Sequence, residues 1–158
     1  MDRLRAVRPF ARLAAVRDCE RGQSVAEFAL TLPILVFLLL GGADMARAFA
    51  IQLAIQNGAR AGAEAAAIDY SPTASESESR AVDEMARTPG LDPDGATVDV
   101  TFAQADGTTD CTDPPTVDEP CFATVRVRYT FSTITPWPLI PTTFSFDRTT
   151  AMRMFATP

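Results

Sequence analysis

The side chains that could do chemistry in this 158-residue chain are carboxylates, arginines, hydroxyls and three cysteines, because histidine and lysine are both absent. A Ser-His-Asp hydrolase needs an imidazole to move the proton, and a nucleotide-binding Walker loop needs a lysine on the phosphates. Paired carboxylates such as Asp83 and Glu84 lie in polar stretches, without the apolar pocket that a general acid requires. The composition therefore predicts a protein that is not an enzyme and that uses no cofactor.

The cysteines divide into a lone residue and a pair. Cys111 and Cys121 lie ten positions apart in an acidic, proline-rich stretch, whereas Cys19 lies in an arginine-rich lead. Zinc is disfavoured, because the pair lacks the two further ligands of a structural site and the chain offers no histidine. In an oxidising compartment we expect the pair to form a disulfide, which could add roughly 2 to 3 kcal/mol through loop-closure entropy. The alternative is two unrelated free thiols.

Charge is distributed unevenly along the chain. Residues 1–22 hold six Arg and three acids, which leaves eight Arg and seventeen acids for residues 23–158. The acidic part does not favour nucleic acid as a partner. The basic lead favours a cytoplasmic N-terminus, because Arg beside a hydrophobic segment is retained on the inner side of a membrane. Everything after that segment is then expected outside.

A long apolar helix separates the two charge regions. From Val25 to Ala43 the chain has nineteen residues with Glu27 as their only charge, close to the roughly 20 residues that span a bilayer. Good helix formers continue past this stretch until Ser71-Pro72 interrupts the pattern. The predicted organisation is a basic cytoplasmic leader at 1–22, a long hydrophobic helix at 23–69 that spans the membrane in its first half, and an extracytoplasmic domain at 70–158.

Turn signals and short periodic stretches alternate in the segment 70–158. A polar, breaker-rich linker or cap is predicted at 71–79, and a short amphipathic helix at 78–88. Alternating apolar residues predict strands near 98–102, 125–131 and 143–155. The prolines of 135–141 exclude a central strand there, because proline cannot donate to the ladder. The predicted fold is α+β: a long N-terminal transmembrane helix, a short helix and a small antiparallel sheet of about three strands.

One stretch around the apolar segment carries a combination of features that is specific to a family. They are Gly22, Glu27 five residues later, Phe28, Pro33 inside the helix, the Leu run, Gly41-Gly42, and Asp44 with Arg47. This combination resembles the N-terminus of TadE-like pseudopilins of the tight adherence (Flp) pilus system, within the type IV pilin class. The resemblance implies a minor, assembly-linked protein of a bacterial cytoplasmic membrane. Its implied partners are a prepilin peptidase, other pseudopilins and pilins, membrane components of the pilus assembly machine and the lipid bilayer.

The same resemblance assigns roles to the residues at the start of the helix. It implies that the peptidase cleaves between Gly22 and Gln23, and that the Glu27 carboxylate meets the new amino terminus of a neighbouring subunit. Pairing two charges in an apolar layer removes most of the cost of burying either one. The alternative is that Glu27 lies at the headgroup edge of the bilayer and has no partner.

Asp44 and Arg47 lie three positions apart on one side of the helix, at the far end of the apolar stretch. They are either an intrahelical pair at the outer membrane interface or, as ionisable residues close to lipid, part of the assembly machinery.

Small residues suggest where other helices could pack against the long helix. They recur at every fourth position, at Gly42, Ala46, Ala50, Ala54, Gly58, Gly62 and Ala66, a spacing that lets helices approach closely. The helix-packing residues predicted within the family-like stretch are Pro33, Gly41, Gly42 and Ala46.

A different class of protein is also compatible with the sequence. Ala48 to Ala50 reads Ala-Phe-Ala, which fits a signal-peptidase site after an apolar stretch. Cleavage there would give a secreted binding module that begins at Ile51, and no cleavage would give a single-span anchored module. Asp44, Arg47 and the unbroken helical pattern count against the signal-peptidase site.

Overall fold

The computed structural model of the protein describes residues 19–69, 72–111, 115–138 and 140–155. The predicted leader therefore lies outside the described residues up to residue 18. The chain divides after Gly41 into two compact units, which are described separately below. The predicted fold class is confirmed: a long N-terminal apolar helix, a short helix and a three-stranded antiparallel sheet.

Helix α1 (Cys19–Ile68) begins in the first unit and continues into the second. In the first unit its large apolar side chains are exposed from Val25 to Leu39, and Pro33 lies inside the helix. Exposed Leu, Ile and Phe all around a helix suit a lipid environment rather than water. By length and composition this helix could cross a membrane, within the stretch Gly22–Ile68.

In the second unit one face of α1 is buried. The buried positions are Ile51, Ala54, Ile55, Gly58, Ala59, Gly62, Ala63, Ala66 and Ala67. They recur at three- and four-residue spacing, which places them on one side of an α-helix. This face packs against a core that the sheet and the second helix complete.

Helix α2 (Ala74–Met85) begins earlier than the sequence predicts, within the segment predicted to be a linker or cap. Thr73 is the reason: its Oγ1 accepts a hydrogen bond from the Glu76 backbone N–H at 3.2 Å. Thr-x-x-Glu is the sequence of a capping box, which satisfies N–H groups that a helix start leaves unpaired. The helix buries Ser77, Ala81 and Met85. Its Ser and Glu residues are therefore helical rather than part of a linker.

A short 3-10 turn at Pro93–Gly95 leads into the sheet. Its strands are β1 (Ala96–Gln104), β2 (Cys121–Ser132) and β3 (Thr143–Arg153), antiparallel in the order β1-β2-β3. The predicted alternation in β2 is confirmed, since Val125 and Val127 are buried while Arg126 and Arg128 are exposed. The register pairs Val98 with Val127 across β1 and β2.

Ion pairs cross the exposed face of the sheet. Arg126 Nε donates to both carboxylate oxygens of Asp147 at 3.0 Å, and Arg128 Nη2 lies 2.6 Å from an Asp99 oxygen. The hydrogen bonds from Arg126 lower the pKa of Asp147. Exposed pairs add little stability, but they link both edge strands to β2 and favour this register.

The predicted disulfide closes the loop between β1 and β2. Cys111 and Cys121 are bonded, with 5.6 Å between their Cα atoms, and Cys121 is buried at the start of β2. Nearby, the Phe155 N–H donates to the Ala67 carbonyl at 3.1 Å. That bond satisfies one of the carbonyls that the end of α1 leaves free. The disulfide and the chain after β3 therefore lie at the same end of the domain as the end of α1.

Candidate functional site

The start of the apolar helix presents an exposed polar pair. Gln23 and Glu27 lie one turn apart, and Gln23 Nε2 donates to Glu27 Oε1 at 3.0 Å. A carboxylate has about four lone-pair positions, so this bond leaves Glu27 able to accept more donors. A Cβ atom on Gly22 would meet nothing within 4 Å. Among the residues that the structure describes, no contact therefore requires glycine at position 22.

Asp44 is the most buried carboxylate among the described residues, with 5% of its surface exposed. Its Oδ1 accepts the backbone N–H of Ile134 at 2.9 Å, and its Oδ2 accepts the indole N–H of Trp137 at 3.0 Å. Arg47 Nη1 lies 3.4 Å from Oδ1, so the predicted intrahelical pair is also present. The Arg47 guanidinium lies 5.3 Å from the ring centre of Phe131.

These contacts show that Asp44 holds a distant segment of the chain in place, which the residues next to Asp44 in the sequence do not reveal. A buried carboxylate is tolerated when donors replace the water that it loses, and here a backbone amide, an indole and a guanidinium do so. The first two belong to the segment that connects β2 to β3, of which the structure describes residues 133–138 and 140–142; this segment is called the β2–β3 loop below. Asp44 therefore fastens the β2–β3 loop to α1.

Sequence reasoning missed Ile134 and Trp137 as partners of Asp44. Their separation of about ninety residues from the helix hides the contact from any local pattern. One signal was available, because a tryptophan indole N–H removed from water needs an acceptor. Asp44 is an acceptor next to an apolar stretch and was the natural candidate.

The residues of the small-residue pattern divide into two groups. A Cβ on Gly62 would lie 2.8 Å from the Ser77 carbonyl oxygen, and one on Gly58 would lie 2.6 Å from Met85 Cγ. Helix α2 therefore crosses α1 at these glycines, and this half of the pattern packs within the chain rather than against other helices. Gly42 and Ala46 are exposed. They remain available to a neighbouring helix.

The position of the Ala-Phe-Ala motif disfavours a signal-peptidase site. Residues 48–50 lie inside α1, and Ile51 is 2% exposed in the core. A cut after Ala50 would separate Asp44 from the loop that it holds and would leave the new terminus in the core.

Metal binding has no support in the part of the chain that the structure describes. Within residues 19–69, 72–111, 115–138 and 140–155, no group of three or more Cys, Asp or Glu is arranged to hold a metal ion.

A helix whose first half exposes apolar side chains, followed by a small α+β domain, is consistent with a protein that has a single N-terminal membrane span. Residues 22–64 match the family model described as TadE-like protein, so this segment is similar to the N-terminal helix of that family. The resemblance found in the sequence is thereby confirmed. The match ends within α1, and no curated protein and no solved structure matches the chain.

Proposed function

We propose that this protein is a non-enzymatic pseudopilin, a minor pilin-like component in the biogenesis of the tight adherence (Flp) pilus. The observation that carries the proposal is the family match, which begins at Gly22 and covers the helix through residue 64. It starts at the glycine after which a prepilin peptidase would cut. No contact within the described part of the chain explains a glycine at this position, which supports a role for Gly22 in recognition by a protease.

In this proposal residues 1–22 are a cytoplasmic leader that processing removes. The first half of the helix at 23–69 then anchors the protein in the cytoplasmic membrane, and residues 70–158 fold outside. The Arg-rich lead supports this orientation, and the disulfide supports an oxidising compartment for the outer domain. The protein acts in the membrane or in the pilus, with the peptidase, other pilins and the assembly machine as partners.

Glu27 contributes to assembly in this proposal through its unused acceptor capacity. Cleavage before Gln23 would create a positively charged amino group one turn from Glu27. A neighbouring subunit's amino group could bind the Glu27 carboxylate while the Gln23 side chain keeps its own hydrogen bond. The exposure of Glu27 supports access for such a partner.

The mass of the mature chain tests the processing step. We expect wild-type protein extracted from membranes to begin at Gln23, and Gly22→Leu to accumulate at full length, because the peptidase accepts no large side chain before the cut. Gly42→Leu is the matched control, since Gly42 is exposed and a Cβ there meets nothing within 4 Å. It should be processed normally.

Three results would contradict this proposal. Trimming of Gly22→Leu to the wild-type mass would show that the cut lies elsewhere. A wild-type chain that begins at Ile51 would identify the secreted binding module, and one that retains Met1 would identify an unprocessed single-span anchor.

A further inference from the structure

The β2–β3 loop lies in an unusually uncharged part of the chain. From Ser132 to Phe146 there are fifteen consecutive residues without an acidic or basic side chain, in a protein that is 22% charged. Ile134 and Ile140 are 61% and 51% exposed. The stretch also contains three prolines and the single tryptophan of the chain. Exposed isoleucines beside a tryptophan, without charge, suit a boundary between water and an apolar medium.

The loop is held where the apolar stretch of α1 ends. Asp44, which binds the loop through Ile134 and Trp137, directly follows Ala43, the last residue of the uncharged stretch. Arg47, one turn further along, keeps part of its side chain exposed beside Asp44. If the apolar stretch lies in the bilayer, connectivity alone brings the loop to the level of the lipid headgroups.

We propose that the β2–β3 loop lies in the interfacial layer of the membrane, with Trp137, Ile134 and Ile140 against the headgroups and upper acyl chains. The inference rests on the membrane span of the proposed function. Tryptophan is enriched at this level of membrane proteins. Prolines lack the backbone N–H that would otherwise need a partner in an apolar layer. Arg47 would meet lipid phosphates from the same turn of the helix.

The bilayer, rather than another protein, is the occupant that the observations favour. Ile134 donates its backbone N–H to Asp44, which follows the apolar stretch in the chain, and the side chains of that stretch are themselves exposed. A bilayer around the apolar stretch would end near Asp44 along the chain, and the loop bound to Asp44 would meet its surface without any additional partner. Through Asp44, the loop would then act as a second membrane contact of the folded domain.

Trp137 makes the test direct, because it is the only source of tryptophan fluorescence in the full chain. The full-length protein is reconstituted at low density in phosphatidylethanolamine and phosphatidylglycerol vesicles that contain lipids brominated either near the headgroup or near the acyl-chain end. We expect Trp137 to be quenched more by the shallow bromines than by the deep ones. Ile140→Asn should reduce that quenching, whereas Val117→Asn should not change it.

Two reference variants move the tryptophan, one to a position expected in the bilayer and one to a position expected in water. In Trp137→Phe/Phe37→Trp the probe lies in the apolar stretch and should be quenched most by the deep bromines. In Trp137→Phe/Val117→Trp it lies beyond the opposite end of β2, roughly 36 Å along the strand at about 3.3 Å per residue. Val117 is 64% exposed, and its carbonyl accepts from Arg153 at the far end of β3. Iodide in the water, and not the bromines, should quench this probe.

The outcomes separate failure of the inference from failure of the span. If position 37 is quenched and Trp137 is not, the loop does not touch the bilayer and the inference is overturned. Protection of Trp137 from both iodide and bromine would mean that protein covers the loop, which also overturns it. If position 37 is not quenched, the span of the proposed function fails and the inference fails with it.

Discussion

Two carboxylates on α1, those of Asp44 and Glu27, have different environments and different roles. Asp44 is buried and has both oxygens occupied by donors from its own chain. Glu27 is exposed, and its Oε1 accepts from a side chain one turn away. A carboxylate that is saturated within the fold has little left to offer a partner, whereas one with free lone pairs can bind a cation. The pairing proposed for assembly therefore belongs to Glu27.

At this scale we predict that Glu27→Ala reduces association with other pilin subunits while cleavage continues. Removing one partner of a desolvated ion pair leaves the other uncompensated and typically costs about 3 to 5 kcal/mol. Glu27→Gln keeps a hydrogen-bonding side chain without the charge and should be intermediate. The measurement is crosslinking between subunits, combined with the mass of the mature chain.

Glu64→Ala is the control for this experiment, because Glu64 is an exposed carboxylate on the same helix. It should crosslink like the wild type. Normal crosslinking by a correctly cleaved Glu27→Ala protein would exclude the pairing and leave Glu27 as a residue of the membrane edge.

At the scale of elements, the contact between α1 and α2 depends on the absence of side chains at two positions. The helices approach so closely at Gly62 that a Cβ would lie 2.8 Å from backbone oxygen and 3.2 Å from Ala81 Cβ. Backbone cannot move aside as a flexible side chain can. The close approach lets α1 and α2 share one core with the sheet.

We therefore predict that Gly62→Ala destabilises the domain by roughly 1 to 3 kcal/mol, the usual cost of overpacking. This cost opposes the gain of about 1 kcal/mol that alanine brings over glycine in a helix. The measurement is urea unfolding of the detergent-solubilised full chain, followed by Trp137 fluorescence.

Gly42→Ala is the matched substitution on the same helix. It makes the same change at an exposed position where a Cβ would meet none of the described residues within 4 Å, so it should be neutral or stabilising. If both variants behave alike, helix propensity rather than packing decides the stability, and the close contact at Gly62 is wrong.

At the scale of the whole molecule, the proposed topology places the disulfide outside the cytoplasmic membrane. In spheroplasts a membrane-impermeant thiol reagent should label neither Cys111 nor Cys121 until a reductant opens the bond. Labelling should then occur without permeabilisation. Breaking the bond by Cys111→Ala with Cys121→Ala should also cost roughly 2 to 3 kcal/mol of folding stability.

One control variant and two contrary outcomes make this experiment decisive. Cys19→Ala should not change the labelling, because processing removes Cys19 with the leader. Labelling without reduction would exclude the disulfide, and labelling that requires permeabilisation even after reduction would reverse the topology.

The sequence by itself determined the features that depend on local order. Apolar length indicated the helix, alternation indicated the core positions of β2, and prolines excluded a strand at 135–141, because each acts through neighbouring residues. The start of α2 was also local, but the Thr73 cap was outweighed by a Ser- and Glu-rich composition that resembles a linker.

Tertiary structure alone decided which distant groups meet. The contacts of Asp44 with Ile134 and Trp137 join residues about ninety positions apart, and the role of Gly62 depends on where α2 crosses α1. No sequence pattern predicts either contact. Hydrogen-bond partners and close approaches depend on packing in three dimensions and not on spacing in the sequence. The small-residue pattern likewise predicted packing against other helices, but at Gly58 and Gly62 the neighbouring helix is α2 of the same chain.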